Sequence, residues 1–159
     1  MLGNIGHYIT IYFYIGTPIQ FFFESYFFPN TMIGDLTVNS VKCDACRNWD
    51  WYPYNSEKSR SVEYEDEDRE EKVKVDLGEN HYIEGHEVRD RVCWQNNTDY
   101  CVRNTTFIEV TDSSTDFEPP VQYRFAGFFG LSPRDTGLGW ADAPSFVDRL
   151  YDLNWIDRR

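Results

Sequence analysis

The side chains with the plainest chemistry are four cysteines, Cys43, Cys46, Cys93 and Cys101. An even number held within short loops suits two disulfides and an oxidising compartment. Zinc is the competing chemistry, with His81 or His86 completing a ligand set, but the spacing of Cys93 and Cys101 does not match paired zinc knuckles. Asn96 and Asn104 each open an Asn-x-Thr triplet that flanks or overlaps the second cysteine loop, and both are candidate glycan acceptors. Residues 63–71, Glu-Tyr-Glu-Asp-Glu-Asp-Arg-Glu-Glu, gather carboxylates that could attract a cation. They lack the ligand spacing and glycine of a calcium loop, so a solvated loop is expected there. Trp49, Trp51 and Tyr52 stand beside the first cysteine loop, lining either a peptide groove or an ordinary packed loop.

Short strands must position these groups. Over residues 8–15, Ile9, Ile11, Phe13 and Ile15 share one face while Thr10, Tyr12 and Tyr14 take the other, a period of two. Gly16-Thr17-Pro18 breaks this strand, and the aromatic run from Phe21 to Phe28 reads as its returning partner. We assign that run to core packing rather than to a ligand surface, with Glu24 and Ser25 marking a bulge or insertion. Further strands are expected at Leu36–Val41, Lys72–Leu77, Tyr82–Val92, Thr105–Thr111 and Arg124–Leu131, separated by Asn, Asp, Ser, Gly and Pro. Ala143–Leu150 reads as helix, with Pro144 in the first turn and Phe146, Val147, Leu150 and Leu153 at helical spacing.

Composition agrees with one mostly β domain over 1–159. Hydrophobic residues are 41% and aromatics 18% of 159 residues, enough for a single core and too many for disorder. The net charge of −12 repels phosphate backbones and anionic lipid, so nucleic-acid and membrane-surface partners are not expected. The same acidity is compatible with work at low pH, where protonation relieves self-repulsion. No apolar run approaches the ~20 residues of a membrane helix. The opening residues, Met1 to His7, carry neither a basic region nor an apolar stretch, so no signal peptide is visible, and we expect a fragment or an incomplete gene model.

Several stretches, in order, resemble one family. Ile15-Gly16-Thr17-Pro18-Ile19-Gln20 resembles the IGTPPQ turn that opens pepsin-like aspartic peptidases. Asn30-Thr31-Met32-Ile33-Gly34-Asp35-Leu36-Thr37-Val38-Asn39-Ser40 resembles their DTGSADLWVPS stretch, with Cys43-Asp44-Ala45-Cys46 following as the family's cysteine loop does. Gly85 to Val92 resembles the GxxGxDxV strand after the flap, and Phe125 to Ser132 resembles FDGILGLG. Pro144-Ser145-Phe146 and Leu150 resemble the helix that follows. The matches run from about residue 7 to 156 and imply the amino-terminal lobe of the family, a closed or partly open β-barrel with one or two short helices. They also imply that Cys43 and Cys46 close the short family loop, with Cys93 and Cys101 closing the second. A secreted, lysosomal or otherwise lumenal location follows, with no cofactor and no metal.

The departures bear on catalysis. The family uses two carboxylates, one from each lobe, whose mutual repulsion separates their pKa values into a base and an acid. Asn30 stands at the first lobe's aspartate, and an amide neither ionises nor accepts the proton. Met32 replaces the glycine of the tight turn. This register needs extra residues between Gln20 and the motif; a gapless one places Phe27-Phe28-Pro29 there, and either removes the acid. Val75-Asp76-Leu77-Gly78 falls where the family carries its flap tyrosine, putting Asp76 near that position beside Gly78, with Tyr82 the nearest aromatic at a different spacing. The second lobe and its aspartate are expected to be absent. The resemblance therefore implies a non-catalytic domain that keeps a groove for a peptide or protein ligand. The alternatives are a peptidase completed by a second lobe or partner chain, and a non-functional fragment.

Overall fold

Where the period of two runs, strands form. The computed structural model describes residues 2–5, 8–11, 13–21, 26–31, 33–47, 53–64, 71–93, 100–114, 125–131, 146–154 and 156. Its elements are β1 (Leu2–Ile5), β2 (Tyr8–Ile11), β3 (Tyr14–Ile15), β4 (Gln20–Phe21), β5 (Tyr26–Asn30), β6 (Thr37–Asn39), a 3-10 turn at Ser56–Lys58, β7 (Glu63–Tyr64), β8 (Val73–Gly78), β9 (His81–Cys93), β10 (Cys101–Ser113), β11 (Phe125–Gly130) and α1 (Phe146–Asp152). One sheet has the order β1-β2-β5-β11. The other runs β4-β3-β9-β10-β6, with β7 and β8 also paired to β9. The chain is mostly β with a short helix, and among the described residues the sheets do not close into a barrel.

The long β9–β10 hairpin divides two cores. Val88 and Phe107 are cross-strand partners, so they share a face, and both enter a cluster with Phe13, Ile15, Phe27, Leu36 and Phe129. Ile83, Ile108 and Val110 enter a second cluster with Phe28, Ile33, Val75, Phe125 and Phe128. Phe27 and Phe28 are neighbours in β5, so their side chains reach opposite faces, and each meets a different core. A strand buried on both faces needs a continuous apolar run, which is how Phe125-Ala126-Gly127-Phe128-Phe129-Gly130 reads. All six of these residues are buried.

Two irregularities set the parity of these strands. In β10 the register shifts between Val102 and Thr105, with Asn104 in the left-handed region at φ 52°. The extra residue lets Val102 and Phe107, of opposite parity, fill the same core. In β11 the shift falls between Phe125 and Gly127, and it brings Phe125 and Phe128 to one core with ring centroids 4.8 Å apart.

Three expectations need correction. The strand over 8–15 is two strands, β2 and β3, which belong to different sheets; a change of sheet leaves no mark on an alternating pattern. The expected helix is described over Phe146–Asp152, with 143–145 outside the described residues; it runs past Leu150, and Leu153 is 46% exposed because Asn154, at φ 56°, ends the helix before Leu153 can turn inward. Glu63 and Tyr64 form a strand against β9 instead of a loop, although Glu63 and Glu71 are solvated as expected. Pro144, the Glu24–Ser25 interruption and residues 65–70 lie outside the described residues.

Gly127 tests the packing of β11 most directly. A Cβ there would lie 1.9 Å from the Thr37 carbonyl oxygen at a backbone φ of 149°. Gly127→Ala is expected to cost about 3 kcal/mol, read as a lower denaturant midpoint at unchanged slope. An unchanged midpoint contradicts this packing.

Candidate functional site

β5 ends at Asn30, and the chain then rounds the end of β11. The amide of Leu131 donates to the Asn30 carbonyl at 2.8 Å, and that of Gly130 donates to the Asp35 carbonyl at 3.1 Å. Consecutive amides of a strand point to opposite edges, so Asn30 and Asp35 flank β11 on either side. Leu36 continues the second flank as an antiparallel bridge to Phe129, and the Thr37 hydroxyl accepts from the Phe128 amide at 2.8 Å. The Asn39 side-chain amide donates to the Phe125 carbonyl farther along. Gly130 makes the turn possible, because a Cβ there would meet Gly34 C at 2.4 Å and Asp35 N at 2.5 Å. Asn30 is half-buried, Thr31 is exposed, and Met32 lies outside the described residues.

The β8–β9 hairpin shares a core with this loop. Ile33 packs in the cluster that holds Val75 and Ile83. Asp76 and Tyr82 are cross-strand partners and therefore neighbours on the opposite face of the hairpin. The sequence spacing that set Tyr82 apart from Asp76 is undone by the turn. Asp76 is exposed, and its carboxylate accepts from the Gly78 amide at 2.7 Å. Lys74 Nζ lies 3.8 Å from the centroid of the Tyr82 ring, and the Tyr82 amide donates to Ser114 Oγ at 3.2 Å. Among the described residues β8 pairs with β9 alone, which leaves its other edge open.

Two buried carboxylates hold the frame around the site. Asp90, 0% exposed, accepts from the Tyr54 hydroxyl at 2.7 Å, from the Arg91 amide at 2.7 Å and from the Ser61 hydroxyl. Thr17 Oγ1 lies 2.8 Å from Ser61 Oγ, and the Thr17 amide donates to Ser59 Oγ at 3.0 Å, so the Gly16–Gln20 turn is docked on the same network. Gln20 and Asn55 exchange two hydrogen bonds beside it. Glu109, 1% exposed, accepts at one oxygen from Ser40 and Ser56 at 2.7 and 2.8 Å. Both acids are sealed from any substrate, and hydroxyl and amide donors replace the lost water. The roles of Asp90, Glu109 and Tyr54 escaped sequence reasoning. The available signal was a carboxylate at a core position, Asp90 between Val88 and Val92 and Glu109 between Ile108 and Val110.

The remaining candidates are placed as follows. Cys43 bonds Cys46, and Cys93 bonds Cys101 across β9 and β10, which leaves no thiolate for the zinc alternative. Among the described residues no group of three or more His, Cys, Asp or Glu is arranged to hold a metal ion. No helix of the described residues is long and apolar enough to cross a membrane. Asn104 is exposed, whereas Asn96, Trp49, Trp51 and Tyr52 lie outside the described residues. No protein-family model and no curated protein matches the chain.

Burial, and after it the Asp90 carboxylate, push the Tyr54 phenol well above its ordinary value of 10.0. The unfolded chain ionises this phenol near pH 10 while the fold keeps it protonated. Its stabilising contribution is therefore whole below pH 10 and is lost above it, at about 1.4 kcal/mol per pH unit. Tyr54→Phe is expected to lower stability by ~1–3 kcal/mol at neutral pH, because Asp90 loses a donor. Denaturant curves of the two proteins should converge above pH 10; a constant gap would contradict the network.

Proposed function

We propose that this chain is a non-catalytic lobe of the pepsin-like aspartic peptidase type, working in a secreted or lumenal compartment as a binder of extended peptides. The observation that carries the reading is the turn around β11. A residue at the end of β5, a loop, and a return along the far edge of β11 against Gly130 form a mount that holds one side chain at a fixed place. In the motif register that side chain is Asn30, whose amide can orient water but cannot take its proton. The best-buried acids, Asp90 and Glu109, serve the fold and are not available to replace it.

Binding survives the loss of the acid. The open edge of β8 offers backbone groups to an added strand, and Asp76 and Tyr82 present a charge and a ring beside it. The net charge of −12 favours basic peptides and makes their association weaken with salt. The two disulfides suit the proposed compartment.

The test is a titration of isotope-labelled chain with an extended peptide of alternating valine and lysine, followed by amide shifts. Saturable shifts along Val73–Gly78, weakening with added salt and leaving the peptide intact, are expected. Cleavage of the peptide, or no shift at millimolar concentration, overturns the reading.

A further inference from the structure

We propose that Asn104 carries an N-linked glycan, and that the bulge in β10 is built so that the folded domain accommodates it. Three observations meet at this position. Asn104-Thr105-Thr106 is an acceptor triplet, and Asn104 is exposed together with Arg103, while Val102 before them and Thr105 after them are buried. The exposure comes from the bulge. Thr105 Oγ1 donates to the Val102 carbonyl at 3.3 Å, and the left-handed backbone of Asn104 lifts its side chain off the sheet.

The third observation concerns Thr106. Its hydroxyl is buried and has no hydrogen-bond partner. In the fold that hydroxyl costs stability, and a valine of the same shape would remove the cost. Its use falls before folding, when the hydroxyl two residues after the asparagine is what the glycosyl-transfer machinery reads. The reaction is a substitution at a sugar carbon. The Asn104 amide nitrogen bonds to C1 of a lipid-linked oligosaccharide, the bond from C1 to the lipid pyrophosphate breaks, and an amide proton is lost to base.

Place in the fold agrees with this. Asn104 lies on the β9–β10 hairpin beside the Cys93–Cys101 disulfide, whose formation needs the same oxidising lumen. Cross-strand register sets Thr105 opposite Asp90, while the β8–β9 turn adjoins His81. Nine strand residues at ~3.3 Å separate those two points by about 30 Å. β10 pairs with the edge of β9 opposite to the one that β8 takes, so the inference does not depend on what the open edge of β8 binds.

The full chain would be translated behind a cleavable export signal into microsomes, with protection from added protease marking the molecules that enter. Glycosidase-sensitive species and glycopeptide mass spectra then report occupancy. Asn104→Gln and Thr106→Val are each expected to remove one glycan from protected chains, while Thr106→Ser keeps it. Thr106→Val should also hold or raise the midpoint of chemical denaturation, since a methyl replaces the orphaned hydroxyl. Protected wild-type chain without a glycan at Asn104, or unchanged occupancy in Thr106→Val, overturns the assignment.

Discussion

β11 lies between the two arms of one loop, and the site depends on that arrangement. Asn30 holds its one edge and Asp35 to Thr37 hold the other, so both ends of the loop are fixed to the same strand. The contact is backbone against backbone, which is why Gly127 and Gly130 occur there: a Cβ at either would overlap the chain it faces. Such close approach fixes geometry mainly through the backbone, with the Thr37 hydroxyl and the Asn39 amide adding side-chain hydrogen bonds to the same strand. What the mounted residue does is then a separate question from how it is held. On the proposed reading, the mount has been kept while the acid on it has been replaced by an amide.

Placing a core on each side of β5, β9, β10 and β11 has a second consequence. Interior positions are filled by large apolar side chains, and the two acids among them must be satisfied locally. Asp90 takes hydroxyl donors from Tyr54 and Ser61 and the amide of Arg91, and Glu109 takes hydroxyl donors from Ser40 and Ser56; Thr17 joins only through Ser59 and Ser61. Each carboxylate thus ties irregular chain to a regular strand. Removing one donor leaves a buried polar group short of partners, so these networks specify the fold more sharply than apolar contacts of the same size. Surface ion pairs such as the exposed Arg47–Asp44 and the partly exposed Lys72–Glu84 contribute little beside them.

Much of this was legible in the residues. The strands expected at 72–77, 82–92, 105–111 and 124–131 from alternation or continuous apolar runs overlap those at 73–78, 81–93, 101–113 and 125–130, and both cysteine pairs close as the family resemblance implies. What escaped has physical causes. A change of sheet between Ile11 and Tyr14 conserves the side-chain period, so one strand is indistinguishable from two. Bulges at Asn104 and Gly127 invert parity, and a pattern read without them assigns Val102 or Phe125 to the wrong face. The pairing of Asp76 with Tyr82 depends on turn length, which sequence spacing measures along the chain and not across the hairpin. The buried acids were visible only as exceptions to an apolar pattern, with donors far away in sequence.

The most direct measurement is hydrolysis of a denatured protein substrate by the purified chain from acid to neutral pH, beside Asn30→Asp and with a pepstatin-type inhibitor. The loop around β11 should hold either residue without loss of folding. With an amide at the mount, no inhibitor-sensitive turnover is expected from the natural chain at any pH. Inhibitor-sensitive turnover by the natural chain would contradict the account, because a carboxylate would then be acting from a place other than the end of β5.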